Sequence, residues 1–409
     1  MSADVAIEPG ADDTPAEAAR RAEVRAWMDE HAARFGPGGQ PHRMDDSAEF
    51  VDASRAWQRE LDEGGWGAIT WPEAFGGRGF GPNDARIFRE EQQRYAVRTG
   101  AQHVSIVMVG PTIIAHGTPD QQERLLGPIR RGEAIYCQLF SEPDAGSDLA
   151  SLRTRAVRDG DEWIVTGQKI WTSSAQHADK GILLARTGAE ADRHGGITYF
   201  VVDMDQPGID IRPIIQINGG RHFNEVYLDE VRVRDADRLG PEGEGWKVAR
   251  TTLGAERAMI GTIRVDDRVD RLIAAARAAG TNTDPLLRQA LADAHIRATV
   301  LGLTSDRVLG ALRTGGSIGP EASVLKLGLS TLFARLGDLA MRVLGPEGLE
   351  AGGTDDERYG PLQDSFLSQW SVRIGGGTEQ VQRNLIGELA LGLPRDPSTA
   401  PSRKPEGSR

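Results

Sequence analysis

Cysteine is almost absent from this chain of 409 residues, in which Cys137 is the only one. A single cysteine cannot form an intrachain disulfide, which fits a reducing compartment. The sequence also lacks any run of about 20 apolar residues, the length needed to cross a bilayer. Its acidic N-terminus has no apolar segment of the kind found in signal peptides. These absences together predict a cytoplasmic protein.

Acidic residues outnumber basic ones in this sequence. Lysine and arginine number 48 against 60 aspartates and glutamates, for a net charge of −12 and an isoelectric point of about 5.3. Such a balance argues against nucleic acid or an anionic membrane as the main partner, although a site for an anionic ligand can still be locally basic. Histidine, cysteine and carboxylates nowhere cluster with metal-ligand spacing, so no metal is expected.

The character of the sequence changes twice along the chain. Residues 16–132 and 241–393 have helical patterns, whereas residues 133–240 are rich in short apolar runs typical of strands. We therefore predict an N-terminal helical domain, a middle β domain and a C-terminal helical domain. Residues 1–15 and 394–409 are polar and rich in proline, alanine and glycine, which predicts disorder at both ends.

Several elements can be predicted individually. Residues 161–173 carry β-branched and aromatic residues around a central Gly-Gln pair, which predicts paired strands. Residues 226–233 alternate apolar and polar side chains, as in a half-buried edge strand. Helices are predicted over residues 246–264 and 378–391, where apolar residues recur at helical spacing.

A first candidate binding segment is QLFSEPDAGSD, residues 138–148. Its Asp-Ala-Gly-Ser-Asp portion predicts a tight turn that exposes backbone N–H groups and the hydroxyls of Ser141 and Ser147. Such a turn is suited to the edge of a polar heterocycle or to a phosphate. The alternative is an ordinary turn between strands.

Trp171, Thr172 and Ser173 form a second candidate at the end of a predicted strand. A tryptophan can press on a flat aromatic ring while neighbouring hydroxyls bond the edge of that ring. The alternative is a tryptophan that simply belongs to the core.

The third candidate is the glycine-rich sequence at residues 375–378, which precedes a predicted helix. Glycines at a helix N-terminus leave amides free to meet an anion or a carbonyl. The alternative is a flexible start to the helix.

Glu256 is the most unusual residue of the predicted helix 246–264. It lies on the apolar stripe of that helix, which comprises Trp246, Ala249, Leu253, Ile260 and Ile263. A carboxylate on the core side of a helix requires a physical explanation. One explanation is a buried ion pair with Arg250 or Arg257, and the other is a catalytic role.

The chain resembles the acyl-CoA dehydrogenase superfamily from about residue 17 to residue 395. The segments YCQLFSEPDAGSDLASL, WIVTGQKIWTSSAQHADKGILLART, FNEVYLDEVRV, EGEGWKVA and GGGTEQVQRNLIGE follow one another in that family's order and spacing. The resemblance implies an α+β fold, with an N-terminal helical domain, a middle β-barrel-like domain and a C-terminal four-helix bundle.

The resemblance also implies an FAD cofactor and assigns residues to it. The residues expected to contact the flavin are Gln138, Phe140, Ser141, Ser147, Trp171, Thr172, Ser173, Gly377, Thr378 and Gln380. Ser147 would also lie near the CoA moiety.

The family places its catalytic base at one of two positions, and only one of them carries a carboxylate here. The position just before the glycine and threonine of the C-terminal loop is Gly376, which cannot serve. The other is Glu256, in the Glu-Arg pair 256–257 on the first helix of the C-terminal bundle, as in isovaleryl- and long-chain-type members. By the same resemblance, Arg257 would face the substrate channel.

The implied activity is oxidation of an acyl-CoA thioester to the trans-2-enoyl-CoA, with electrons passed to an electron-transfer flavoprotein. Oxygen as the acceptor, in an oxidase or monooxygenase, and a non-catalytic structural subunit are the alternatives. The acyl chain stays open among straight, branched, steroid side-chain and carrier-protein-bound forms.

Two family features that serve the flavin of a neighbouring subunit are missing. No Arg-Phe-Gly triplet occurs in residues 271–289, and the sequence Arg-Val-Leu-Gly-Pro at residues 342–346 replaces the family's glutamine followed by two glycines. Their loss is compatible with a homotetramer that binds FAD by other contacts, or with an α2β2 heterotetramer that includes a sister dehydrogenase chain.

Overall fold

The computed structural model describes residue 10 and residues 13–36, 47–189, 193–260, 266–313, 319–349 and 360–394. The chain divides into two compact units, Met1–Met259 and Ile260–Arg409, which we call the first and second unit. Nearly all of the two termini predicted to be disordered lies outside the described residues. None of the helices in the described segments has the length and apolar composition of a membrane-spanning helix.

The first unit begins with helices. These are α1 (Pro15–His31), α2 (Ala48–Glu63), α3 (Pro82–Gln92), α4 (Gly110–His116) and α5 (Pro119–Arg130). Helix α1 begins at Pro15, inside the segment predicted to be disordered, because Thr14 and Glu17 form a capping box. Thr118 and Gln121 form the same motif at the start of α5.

A buried ion-pair network joins α1 to α3. The Glu91 side chain, only 1% exposed, accepts hydrogen bonds from Arg25 Nε (2.8 Å) and Arg21 Nη1 (3.1 Å). Burial alone would raise the pKa of Glu91, but the bonds from Arg25 and Arg21 outweigh it and hold this pKa below the ordinary value of 4.5. The carboxylate is therefore charged in the folded protein.

The middle of the first unit is a curled sheet of seven strands. The strands are β1 (Tyr136–Leu139), β2 (Arg155–Asp159), β3 (Glu162–Ser173), β4 (Lys180–Arg186), β5 (Ile197–Asp203), β6 (Ile209–Ile214) and β7 (Phe223–Arg234). Their order is β1-β4-β2-β3-β7-β6, with β5 paired to β4. Strands β1 and β2 run parallel to β4, and the other pairs are antiparallel.

Two of the strand predictions were wrong in detail. Residues 162–173 form one continuous strand rather than a pair, and Gly167 lies within it. A Cβ at residue 167 would lie 2.4 Å from Thr154 Oγ1, so glycine is required there for close approach and not for a turn. Strand β7 is not an edge, because it pairs with β3 on one side and β6 on the other.

Helix α6 (Gly245–Ile260) completes the first unit. Val248 and Ala249 are fully buried in a core that also contains Tyr199 of β5 and Ile113 of α4. The predicted helix over residues 246–264 is confirmed as far as Ile260, and residues 261–265 lie outside the described part of the chain.

The second unit is helical. It contains α7 (Asp266–Ala278), α8 (Pro285–Arg313), α9 (Glu321–Leu344), α10 (Gly360–Ile374) and α11 (Glu379–Leu385), the last followed by a π-helical turn, Ile386–Ala390. Its core draws on α7 to α10, with Leu272, Leu291, Leu336 and Leu362 as representatives. The predicted α+β fold, with a helical N-terminal part, a middle sheet and a C-terminal bundle, is confirmed.

Candidate active site

Two of the three predicted binding segments meet in the first unit. The backbone N–H of Ile170 in β3 donates to the carbonyl of Ser141 over 2.9 Å. Lys169 Nζ donates to the carbonyl of Phe140 over 3.1 Å. Residues 138–147, which we call the turn segment, therefore lie against the last residues of β3, where Trp171, Thr172 and Ser173 are found.

A β-bulge at the end of β3 determines which of its side chains are exposed. The register with β7 shifts between Lys169 and Thr172, and Trp171 has a positive φ of 60°. The alternation of buried and exposed side chains along β3 therefore changes phase at this point, since a bulge adds one unpaired residue. As a result the Trp171 side chain is 56% exposed and Thr172 is fully buried. Trp171 is not a core residue, which removes the simplest alternative to a ligand contact.

Thr172 carries a buried hydroxyl that lacks a partner within the described part of the chain. The residue pairs with Asn224 of β7, whose Nδ2 donates to the Thr172 carbonyl over 3.0 Å. Its backbone is thus fixed while its side-chain oxygen is unsatisfied. Buried hydroxyls usually have a hydrogen-bond partner, which a bound ligand could supply at this position.

The turn segment presents a mixture of buried and exposed groups. Glu142 and Ala145 exchange two backbone hydrogen bonds of 3.1 Å each, which closes the predicted turn. Ser147 is exposed and Ser141 is half-buried, so both hydroxyls remain accessible as predicted. Phe140 differs, because its ring is buried in the core at 5.8 Å from the ring of Tyr199 and in an edge-on orientation.

Sequence reasoning missed the buried pair of Lys169 and Glu142. Lys169 is 0% exposed, and its Nζ lies 2.8 Å from Glu142 Oε1. A signal did exist, since Lys169 has the same parity along β3 as Trp163 and Val165, which are both buried. Strand alternation alone therefore predicts an inward lysine, and an inward lysine requires a carboxylate.

Glu256 lies on α6 in the same unit. It is half-buried, as is Leu253, which packs against the core. One turn earlier, the buried Thr252 hydroxyl lies 3.1 Å from the Tyr199 hydroxyl and 3.0 Å from Thr112 Oγ1. This cluster of three hydroxyls fixes the rotation of α6, and with it the side of the helix on which Glu256 lies. The side chain of Arg257 is outside the described part of the structure.

The third predicted segment, residues 375–378, lies in the second unit. Gly376 and Gly377 have positive φ values of 65° and 89°, and a Cβ at residue 377 would lie 2.5 Å from Gln382 Nε2. Thr378 caps α11 by accepting from the backbone N–H of Val381 over 3.2 Å. Gln380 is exposed. The prediction of a glycine-dependent loop before a helix is confirmed, although the regular α-helix is shorter than expected.

Three consecutive domain descriptions match the chain. "Acyl-CoA dehydrogenase, N-terminal domain" matches residues 14–133, "Acyl-CoA dehydrogenase, middle domain" matches residues 137–231, and "Acyl-CoA dehydrogenase, C-terminal domain" matches residues 243–391. The chain belongs to the acyl-CoA dehydrogenase family. It is accordingly an oxidoreductase that dehydrogenates acyl-CoA.

Named relatives of this acyl-CoA dehydrogenase agree in length and fold. The acyl-CoA dehydrogenase IpdE1 of Mycobacterium tuberculosis is 39% identical over 386 residues, which cover 92% of this chain and 97% of that protein. The solved structure described as the Tcur3481-Tcur3483 steroid ACAD is 29% identical, with a TM-score of 0.78 over 94% of this chain and 99% of that one. The ChsE4-ChsE5 complex of M. tuberculosis gives 30% identity and a TM-score of 0.77, and covers 94% of this chain and 100% of its own.

Proposed function

We propose that this acyl-CoA dehydrogenase uses FAD to introduce an α,β double bond into an acyl-CoA thioester, with Glu256 as the base. The product would be the trans-2-enoyl-CoA, and an electron-transfer flavoprotein would take the electrons. The observation that carries the proposal is the pairing of an exposed Trp171 indole with a fully buried, unsatisfied Thr172 hydroxyl in one strand end.

The residues at the end of β3 fit a flavin. An isoalloxazine ring has a flat aromatic face and an edge of hydrogen-bonding atoms. Trp171 offers an indole face, and Thr172 offers a hydroxyl whose partner would be the ring edge. Gln138, Ser141, Ser147 and Ser173 belong to the two adjoining segments and would supply further polar contacts. Phe140 would contribute through its backbone, because its ring is in the core.

Gly377, Thr378 and Gln380 would contact the flavin or its pyrophosphate. The support is local. Gly376 and Gly377 have positive φ values and no side chains, so a ligand can approach this backbone closely. The exposed Gln380 side chain is accessible to a ligand.

Glu256 would remove the proton next to the thioester carbonyl. This proton is only weakly acidic, so the base must be a carboxylate in a pocket that excludes water and raises its basicity. The position of Glu256 on the apolar side of α6 supports this role, as does the Thr112–Thr252–Tyr199 hydroxyl cluster that fixes the helix. Arg257 would face the acyl-CoA. When bound, FAD would accept the hydride from the β carbon.

The acyl group is proposed by analogy with a solved neighbour. Because the Tcur3481-Tcur3483 enzyme is described as a steroid ACAD, steroid side-chain thioesters are the first class to test. Straight-chain, branched and carrier-protein-bound acyl groups are the comparison substrates.

A sister chain would complete the enzyme as an α2β2 heterotetramer. Both solved neighbours are named as pairs of different chains. Helix α8 also carries the exposed apolar side chains of Ile296, Val300 and Leu303, whose i, i+4, i+7 spacing places them on one side of the helix. Contiguous apolar surface of this kind commonly marks a protein interface. A homotetramer is the alternative outcome.

The test of the proposed function is an anaerobic titration. The purified chain is supplied with FAD, and acyl-CoA thioesters of each class are added while the visible spectrum is recorded. Bleaching of the flavin by one class supports the proposal and names the substrate. A chain that stays colourless alone but binds FAD with a co-expressed homologue supports the heterotetramer. Reoxidation by air at the rate of turnover would instead indicate an oxidase.

Thr172→Val should weaken FAD binding without destabilising the flavin-free protein. The hydroxyl would lose its bond to the flavin, which raises the dissociation constant about tenfold. The flavin-free fold should keep its melting temperature, because the hydroxyl has no partner in the described structure to lose. Isothermal titration with FAD and thermal unfolding provide the two measurements.

The control for this variant is Thr166→Val on the same strand, where the side chain is exposed. It should bind FAD like the unmodified protein. An unchanged FAD affinity in Thr172→Val would remove Thr172 from the flavin site.

A further inference from the structure

The buried pair of Lys169 and Glu142 joins the two segments that form the proposed flavin site. Lys169 lies two residues before Trp171 on β3, and Glu142 lies within the turn segment. The Lys169 side chain is fully buried and that of Glu142 is 8% exposed. No step of the proposed reaction uses either group, so their burial calls for a separate explanation.

The pair joins three stretches of backbone. Lys169 Nζ donates to the Phe140 carbonyl over 3.1 Å and to Glu142 Oε1 over 2.8 Å. The Glu142 carboxylate also accepts from the backbone N–H of Arg153 over 2.6 Å and of Thr154 over 2.9 Å. The turn segment, the chain that enters β2 and the end of β3 are therefore held by one set of charged hydrogen bonds.

Both members of the pair are charged near neutral pH. Burial lowers the pKa of Lys169 to about 8, although Glu142 opposes the shift. Burial would raise the pKa of Glu142, but Lys169 outweighs it and leaves that pKa below its ordinary value. Charged hydrogen bonds of this kind are shorter and stronger than neutral ones.

Stability alone does not explain a buried ion pair. Replacement of such a pair by apolar residues of similar volume is often neutral or even stabilising, because the charges must be desolvated. What apolar contacts do not provide is a fixed position for a backbone carbonyl. The carbonyl held here belongs to Phe140, next to Ser141, and the lysine that holds it is on the strand that carries Trp171 and Thr172.

We propose that Lys169 and Glu142 are positioning residues that fix the turn segment relative to the end of β3, so that both segments can contact one flavin. This inference rests on the proposed function. It assigns neither residue to the flavin itself, since both act through the backbone of their neighbours.

The test uses three forms of the full chain with added FAD, and the sister chain where FAD binding requires it. Lys169→Met leaves the Glu142 charge buried without its partner, so it should lower stability as well as FAD affinity. The double variant Lys169→Met/Glu142→Gln removes both charges and separates the two effects. Lys180→Met is the control, because Lys180 is a lysine of the same sheet whose ammonium pairs with the exposed Asp203.

In the double variant we expect a melting temperature close to that of the unmodified protein, with an FAD dissociation constant about tenfold higher. The bound flavin should also show a shifted visible spectrum, which a purely structural role would not produce. Lys180→Met should keep the FAD affinity and the spectrum of the unmodified protein.

The outcomes are distinguishable. A double variant that binds FAD with unchanged affinity and spectrum overturns the positioning role and leaves the proposed function intact. An unmodified protein that takes up no FAD, alone or with a sister chain, overturns the cofactor assignment itself. Loss of FAD affinity in the double variant together with recovered stability supports the inference.

Discussion

Replacing Glu256 with glutamine should lower the turnover number by about 10²–10⁴-fold, the usual contribution of a general base. Glutamine has nearly the same shape as glutamate but cannot accept the substrate proton. The hydroxyl cluster around Thr252 does not include residue 256, so α6 should keep its position. FAD content and melting temperature should therefore stay close to those of the unmodified protein. Single-turnover flavin reduction under anaerobic conditions measures the effect directly.

Glu244→Gln is the control for this experiment, because Glu244 is an exposed residue just before α6 and its carboxylate pairs only loosely with Lys247, at 3.6 Å. It should leave the rate unchanged. The alternative role of Glu256, an ion pair with a neighbouring arginine, predicts the reverse pattern for Glu256→Gln. Stability would fall while flavin reduction continued at close to its original rate, and the assignment of the base would then be wrong.

Glu91→Gln should lower the free energy of unfolding by about 2 kcal/mol, because Arg21 and Arg25 lose charged hydrogen bonds to a buried carboxylate. The Arg21 side chain, which is 6% exposed, would keep its bonds to Asp13 and Glu90 but lose that to Glu91. Chemical denaturation measures the change. Glu133→Gln is the matched control, because Glu133 pairs with Arg131 on the surface, and it should cost less than about 1 kcal/mol.

The loss of stability caused by Glu91→Gln should also depend on pH. Its pKa in the folded protein lies below the ordinary value of 4.5. A depressed carboxyl pKa stabilises the fold fully above the unfolded-state value, and this stabilisation is lost as the pH falls through the folded-state pKa. The difference in unfolding free energy between the two proteins should therefore be constant near neutral pH and shrink below about pH 4.5. A difference that grew on acidification would contradict the ion-pair network.

Local patterns predicted most of the elements but not the pairing between them. Strands β4 and β5 are continuous apolar runs of the kind predicted for residues 133–240. Strand β7 has an equally clear alternation but was assigned to an edge, because nothing within it indicates a partner on each side. Gly167 was mistaken for part of a turn for the same reason. Glycine is required there by the close approach of Thr154, the residue before β2, and the sequence of β3 alone does not reveal that contact.

The candidate site shows the same division between local and non-local information. The motif around Trp171 and Thr172 was found from residue types, and the structure places it against the turn segment. Which of the two side chains is buried depends on the bulge before Thr172, and no single-residue preference predicts a positive φ at a tryptophan. Lys169 was overlooked because its carboxylate partner is 27 residues away.

The position of α6 determines where domains can be exchanged between members of this family. By sequence the helix belongs to the C-terminal domain, whose match begins at residue 243, yet it packs within the unit that ends at residue 259. A chimaera joined at residue 243 would import a foreign helix, and its residue at the position of Thr252 would have to fit Tyr199 and Thr112 of a different protein. A junction after residue 260 would exchange the bundle and keep the native helix. Crossovers that preserve activity should therefore cluster after α6, about one helix later than the domain boundary drawn from sequence.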